Sequence, residues 1–191
     1  MEALFISTGV VALAEIGDKT QLLAFILAAR FKKPLPIIAG ILCATLINHG
    51  LAGVLGSWIT SVVSPEVMRW ALGLSFIGMA IWTMIPDKIE EEETQVAKHL
   101  GVFGATFITF FLAEMGDKTQ IATVALAAHY GAPLMVVIGT TLGMLVADVP
   151  AVFVGNKFAT RIPMKLVHSI AAGIFALMGL LTLLQVEKLF Q

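Results

Sequence analysis

Ala14-Glu15-Ile16-Gly17-Asp18-Lys19-Thr20-Gln21 returns in the second half of the chain as Ala113-Glu114-Met115-Gly116-Asp117-Lys118-Thr119-Gln120. Residues 14–46 align without gaps on 113–145, and 14 of the 33 pairs are identical, among them Leu27-Ala28-Ala29 with Leu126-Ala127-Ala128, Pro34 with Pro133 and Gly40 with Gly139. Identity of that extent at a fixed offset marks an internal duplication.

The material around the two octapeptides is apolar. Of 191 residues, 58% are hydrophobic and 13% charged, with a mean hydropathy of +0.93, too little polar surface for a soluble domain. Crossing ~30 Å of hydrocarbon takes about 20 apolar helical residues. Six stretches qualify, near 4–29, 35–57, 66–85, 101–128, 133–156 and 165–186. Pro34, Pro65, Pro133 and Pro163 stand at or near span starts, where a missing N–H costs least, and Pro86 follows a span end. The N-terminus has Glu2 and no basic stretch, so it reads as a first span and not as a removable signal.

The hydrophilic run PDKIEEEETQVAKH at 86–99 divides three spans from three. The expected fold is therefore an all-α membrane protein of six transmembrane helices. Residues 1–85 form a first three-helix repeat, 86–100 an acidic loop, and 101–191 a second three-helix repeat. A unit with an odd number of spans must re-enter from the opposite side, which makes the repeats inverted, with ligand sites expected where they meet. Arg30, Lys32, Lys33, Lys88, Lys98, Lys157, Arg161 and Lys165 all fall on one side, against Arg69 and Lys188 on the other. The first side is expected to be cytoplasmic, with both termini outside and the protein a multi-pass component of the cell membrane. Gly40-xxx-Ala44 and Gly139-xxx-Gly143 offer equivalent small-residue faces for close helix contact.

Both octapeptides then put Glu15, Asp18, Glu114 and Asp117 near mid-membrane, with Lys19 and Lys118 beside them. A central charge costs roughly 2.5 to 3.5 kcal/mol on insertion scales, so these groups need partners, water or ions inside the bundle. Residues three apart share a helix face, so each Glu and Asp can point the same way, with Gly17 and Gly116 allowing close approach. Thr20, Gln21, Thr119 and Gln120 add neutral oxygens, and a hard divalent cation such as Mn²⁺ or Ca²⁺ takes several oxygen ligands. Four carboxylates and two ammonium groups leave two negative charges, which one divalent cation or two protons would neutralise. Competing occupancy of that kind is the minimum condition for exchange by alternating access.

The four-residue spacing of Glu15 to Lys19 and of Glu114 to Lys118 also suits intrahelical ion pairs, which would make the motif a structural glue. The surplus of acids over lysines speaks against glue alone, and equally against an anion site. A second tier lies on the second and fifth spans: Asn48, His49 and Asp148, with His49 and Asp148 at equivalent positions. Asp148 suits a ligand or proton-relay role; Asn48 and His49 suit hydrogen bonds between helices. His99, His129 and His168 fall near span ends and read as surface residues, and Glu90 to Glu93 as a solvated loop. Trp58, Trp70 and Trp82 suit interfacial anchors, and nine scattered Met suit gap filling. A lone Cys43 excludes an internal disulfide, and a net charge of -1 without a basic stripe excludes a nucleic-acid surface.

With Glu15-Ile-Gly17-Asp18-Lys19-Thr20 and Glu114-Met-Gly116-Asp117-Lys118-Thr119 in view, the chain resembles the cation/proton exchanger family of the Golgi manganese and calcium transporters and the bacterial manganese exporters. That family carries a duplicated Glu-x-Gly-Asp-Lys/Arg-Ser/Thr signature. The resemblance covers nearly the whole chain. It implies transport of Mn²⁺ or Ca²⁺ against protons, with no cofactor. It also implies Glu15, Asp18, Glu114 and Asp117 as metal ligands at the repeat interface, supported by Thr20, Gln21, Thr119, Gln120, Lys19, Lys118, Asn48 and Asp148. The compact six-span form resembles the bacterial branch, implying manganese export across the bacterial inner membrane. Spacing alone does not choose manganese over calcium. A passive cation channel is the first alternative, because acids also line cation pores; an intramembrane metal-dependent enzyme is the second, since paired acids can do acid–base work. The sequence sets no oligomeric state.

Overall fold

The computed structural model describes residues 1–85, 100–154 and 164–184. Those residues are all-helical, with no strand among them. The chain runs through α1 (Glu2–Glu15), α2 (Lys19–Phe31), α3 (Pro34–Val62) and α4 (Pro65–Thr83), then α5 (Val102–Glu114), α6 (Lys118–Tyr130), α7 (Pro133–Val154) and α8 (Met164–Leu184). Pro34, Pro65 and Pro133 are the first residues of their helices, as their missing N–H favours. Pro86, Pro163, Glu90 to Glu93, His99 and Lys88, Lys98, Lys157, Arg161 and Lys188 lie outside the described residues.

The largest correction to the sequence reading lies in the first and fourth expected spans. Each is two short helices, not one long one. α1 stops at Glu15 and α2 starts at Lys19; α5 stops at Glu114 and α6 starts at Lys118. The cause is local. Gly17 has φ 87° and Gly116 φ 79°, a left-handed conformation that L side chains avoid and that a helix cannot contain. The residues before them, Ile16 and Met115, are extended at ψ 115° and 114°. Among the described residues, α3 and α7 are the helices long and apolar enough to cross a membrane by length and composition.

The halves share more than helix order. Their positive-φ residues recur at the same offset, Gly17 with Gly116 and Lys32 (52°) with Gly131 (59°). They also pack crosswise. α3 lies along α5, and α7 along α1. A Cβ added to Gly40 would sit 3.0 Å from the Phe103 carbonyl oxygen and 2.7 Å from Thr106 Cβ. One added to Gly139 would meet the equivalent atoms of α1, at 2.6 Å from the Leu4 carbonyl oxygen and 3.0 Å from Ser7 Cβ. The small residues therefore serve contact between halves. α4 and α8 pack against each other through Gly73 and Gly179.

The distribution of polarity is that of a membrane protein. Every helix exposes large apolar side chains, for example Phe5, Leu22, Val54, Ile81, Phe103, Ile121, Phe153 and Leu177. The buried set, by contrast, includes Glu15, Asp18, Asn48, His49, Glu114, Asp117, Lys118 and Asp148. Apolar outside and charged inside inverts the soluble arrangement and suits a hydrocarbon surround. Trp58 and Trp70 are exposed and Trp82 half-buried, while Cys43 is half-buried with a free thiol.

Candidate cation site between the two helix breaks

Each break delivers a carboxylate from both of its ends. Glu15 is the last residue of α1 and Asp18 the residue just before α2; Glu114 and Asp117 repeat this at α5 and α6. The acids of one motif thus come together across a turn and not, as their spacing suggests, along one continuous helix face. The turn leaves helix-end groups to satisfy. The Gly17 N–H donates to Gln21 Oε1 at 3.0 Å, and the Gly116 N–H to Gln120 Oε1 at 2.7 Å. The Gln21 amide nitrogen donates in turn to the Ala147 carbonyl on α7 at 2.9 Å. Read from sequence as neutral oxygens for a cation, these two glutamines in fact cap the breaks, and Gln21 ties one half to the other.

The threonines act on the glutamates. Thr20 Oγ1 donates to Glu15 Oε2 at 2.5 Å, and Thr119 Oγ1 to Glu114 Oε2 at 3.1 Å. One oxygen of each glutamate is thereby fixed, while Oε1 of each is buried without a hydrogen-bond partner among the described residues. Oxygens of Glu15, Glu114 and Asp117 lie within 4.8 Å of one another, all three residues buried. Three carboxylate oxygens so close repel unless a cation or protons join them, and the spread suits a small hard cation held between them.

The lysines reach across the interface instead of back along their own helices. Lys118 Nζ lies 2.9 Å from Asp18 Oδ2, and Lys19 Nζ 3.8 Å from Asp117 Oδ1. The intrahelical Glu–Lys pairs expected from the four-residue spacing do not form, because the break removes the turn that would bring the two side chains together.

In the second tier, Asn48 Nδ2 donates to the Phe111 carbonyl at 3.1 Å, so it bonds between helices as its place on α3 suggested. His49 does not: it is wholly buried and neither ring nitrogen has a hydrogen-bond partner among the described residues. Asp148, equally buried, has both carboxyl oxygens without such a partner and lies within electrostatic reach of Glu15 and Glu114. It adds a fifth acid to the buried group. Sequence reasoning passed over Thr45, buried one turn before His49 on α3 with its hydroxyl unbonded among the described residues. Its four-residue spacing from His49 was the available signal. His129, expected at the surface, is half-buried and stands edge-on to Phe76 with ring centroids 6.0 Å apart.

Comparison with known proteins agrees with the site's chemistry. The profile of a family described as "Divalent cation/proton antiporter GDT1" matches residues 3–91 and again residues 102–189. A Vibrio cholerae serotype O1 protein named "Putative manganese exporter" is 52% identical over 183 residues, 95% of this chain and 90% of that protein. GDT1-like protein 3 of Oryza sativa subsp. japonica is 30% identical over 200 residues, covering 91% of this chain and 71% of the relative. GDT1-like protein sll0615 of Synechocystis is 29% identical over 195 residues, 90% and 92% of the two chains. No solved structure matches the chain.

Proposed function

Since the chain belongs to the divalent cation/proton antiporter GDT1 family, we propose that it exports Mn²⁺ in exchange for protons, with Ca²⁺ as the other cargo its oxygen ligands would accept. The family is one of transporters, not enzymes, so metal ion and proton are cargo and no resident cofactor is required. The observation that carries the proposal is the buried trio Glu15, Glu114 and Asp117, whose oxygens lie within 4.8 Å of one another and come from both halves. Asp18 completes the four acids and Asp148 lies beside them. Thr20 and Thr119 orient the glutamates, and Gln21, Gln120 and Asn48 hold the breaks and helix ends around them.

In this reading α1 with α2, and α5 with α6, each form one interrupted span, and α3, α4, α7 and α8 supply the other four. Residues 1–85 and 101–191 are the inverted repeats, with the loop 86–100 cytoplasmic and both termini outside. Interrupted helices suit the task. In this topology they would bring backbone groups and carboxylates to mid-membrane, facing protein and not lipid. Two net negative charges among the motif residues admit either one divalent cation or two protons, and alternate loading with one or the other is what couples the two fluxes.

The test is metal flux in proteoliposomes, comparing Mn²⁺, Ca²⁺, Zn²⁺ and Mg²⁺ under imposed pH gradients. Mn²⁺ uptake should accelerate when the opposing side is acid. A flux indifferent to the gradient, carrying current down the metal's own gradient, would identify a channel and remove the exchange mechanism.

A further inference from the structure

Residues at equivalent positions in the two halves do not have equal surroundings. The Lys118–Asp18 pair is short, 2.9 Å, and its side chains are 3% and 1% exposed. The Lys19–Asp117 pair is long, 3.8 Å, and the Lys19 side chain is 17% exposed. The acids divide along the same line. Asp117, of the longer pair, offers an oxygen to the group formed with Glu15 and Glu114, and Asp18, of the shorter pair, is not in that group. Because residue types and backbone breaks repeat at a fixed offset, the mirror arrangement uses the same parts: Lys19 closes on Asp117 while Asp18 joins the glutamates.

Resting on the exchange function above, we propose that Lys19 and Lys118 are tethered rivals of the transported cation. Each in turn claims the opposite half's aspartate, and the swap of partners hands the metal from one face of the membrane to the other. An ammonium at 2.9 Å neutralises Asp18 and removes it as a ligand, so three acids at a time serve the metal. Two nearly equivalent packings of one set of groups are what a two-state transporter requires. Both pairs join the start of α2 to the start of α6, so the swap exchanges the roles of the two halves without adding or removing a group. The lysines act as positioning residues through the aspartates and need not touch the ion.

Mn²⁺ flux in proteoliposomes, Mn²⁺ binding in detergent by electron paramagnetic resonance, and hydrogen–deuterium exchange at the starts of α2 and α6 together test this. Lys118→Gln and Lys19→Gln should each lower flux about tenfold or more while binding Mn²⁺ within about threefold of wild type. Exchange should move in opposite senses: Lys118→Gln raises it at the start of α6 and lowers it at the start of α2, and Lys19→Gln does the reverse. Lys118→Arg and Lys19→Arg should recover most of the lost flux. If Lys118→Gln does not fold, because Asp18 is left with a buried charge, Asp18→Asn/Lys118→Gln decides, since neither charge remains. It should bind Mn²⁺ through Glu15, Glu114 and Asp117 yet fail to turn over. Wild-type flux in either Gln variant or in the double variant, or exchange moving the same way in both Gln variants, overturns the swap. Absence of Mn²⁺ binding and flux in the wild type would instead overturn the exchange function itself, and the swap with it.

Discussion

The two helix breaks repeat one set of polar residues and one backbone turn, whereas the long helices that flank them do not repeat theirs. At the breaks Glu15 recurs as Glu114, Asp18 as Asp117, Thr20 as Thr119 and Gln21 as Gln120, each with the equivalent kind of partner though not at the same distance. On α3 and α7 the equivalent pairs are Asn48-His49 and Ala147-Asp148. The duplication kept the polar residues of the breaks and not those of α3 and α7. The acids that recur at the breaks are therefore joined by a carboxyl group on α7, Asp148, that α3 does not match.

The symmetric part yields the largest expected effect. Glu15→Gln and Glu114→Gln should each reduce Mn²⁺ flux about 100-fold, close to 3 kcal/mol of lost stabilisation, because each removes a buried carboxyl group from the proposed ligand set while leaving volume and the threonine contact in place. Flux assays on both variants would show whether the halves are functionally equal. A loss confined to one of them would break the equivalence, and wild-type flux in either would remove that glutamate from the ion's path.

The asymmetric part should show a smaller and one-sided effect. Asp148→Asn should lower flux about tenfold, whereas His49→Gln should change it less than about threefold. Asp148 is a buried acid within electrostatic reach of both glutamates, and His49, equally buried, can remain neutral at little cost. Equal effects from the two would mean that α3 and α7 contribute alike in spite of their chemistry.

How much of this was legible beforehand follows the same division. The duplication, the helix starts at Pro34, Pro65 and Pro133, the motif acids and the small-residue faces at Gly40 and Gly139 could be read directly, because proline chemistry, glycine size and charge in an apolar run are local signals. The breaks could not be read so easily. A glycine inside an apolar helix is tolerated as often as it interrupts, and only the backbone at Gly17 and Gly116 decides between the two. From that one missed turn followed the misplaced ion pairs: i to i+4 spacing has meaning only on an unbroken helix, and the lysines instead reach the opposite half. The glutamine caps were missed for the same reason, since they answer N–H groups that a continuous helix would have satisfied itself.

The breaks can be tested as backbone features apart from their side chains. Gly116→Ala adds a methyl group with no atom within 4 Å of it, so any loss of stability comes from holding alanine at φ 79°. About 1 to 2 kcal/mol is expected, seen as a lower Tm in detergent. Gly139→Ala supplies the contrast, because its new methyl would lie 2.6 Å from the Leu4 carbonyl oxygen and must move α7 away from α1. A neutral Gly116→Ala would mean that the turn can relax into a helix.

The smallest effect concerns a place where the halves solved one problem differently. α2 and α6 both end on a left-handed residue, Lys32 at φ 52° and Gly131 at φ 59°, each of whose N–H bonds back to a carbonyl four residues earlier, Ala28 or Ala127. Glycine holds this conformation without a Cβ penalty and lysine does not, so the first half carries a strain that the second lacks. Lys32→Gly should therefore stabilise the protein by about 0.5 to 1 kcal/mol, and Gly131→Lys should destabilise it by a similar amount. Melting temperatures of the two single variants and the exchanged pair would settle the matter. The exchanged pair should return close to wild type, since in the proposed topology the two helix ends lie on opposite sides of the membrane and the strain is only moved from one half to the other. Destabilisation by Lys32→Gly would show instead that the Lys32 side chain supplies something its backbone strain conceals. Its positive charge beside Arg30 and Lys33, on the side assigned to the cytoplasm, is the first candidate.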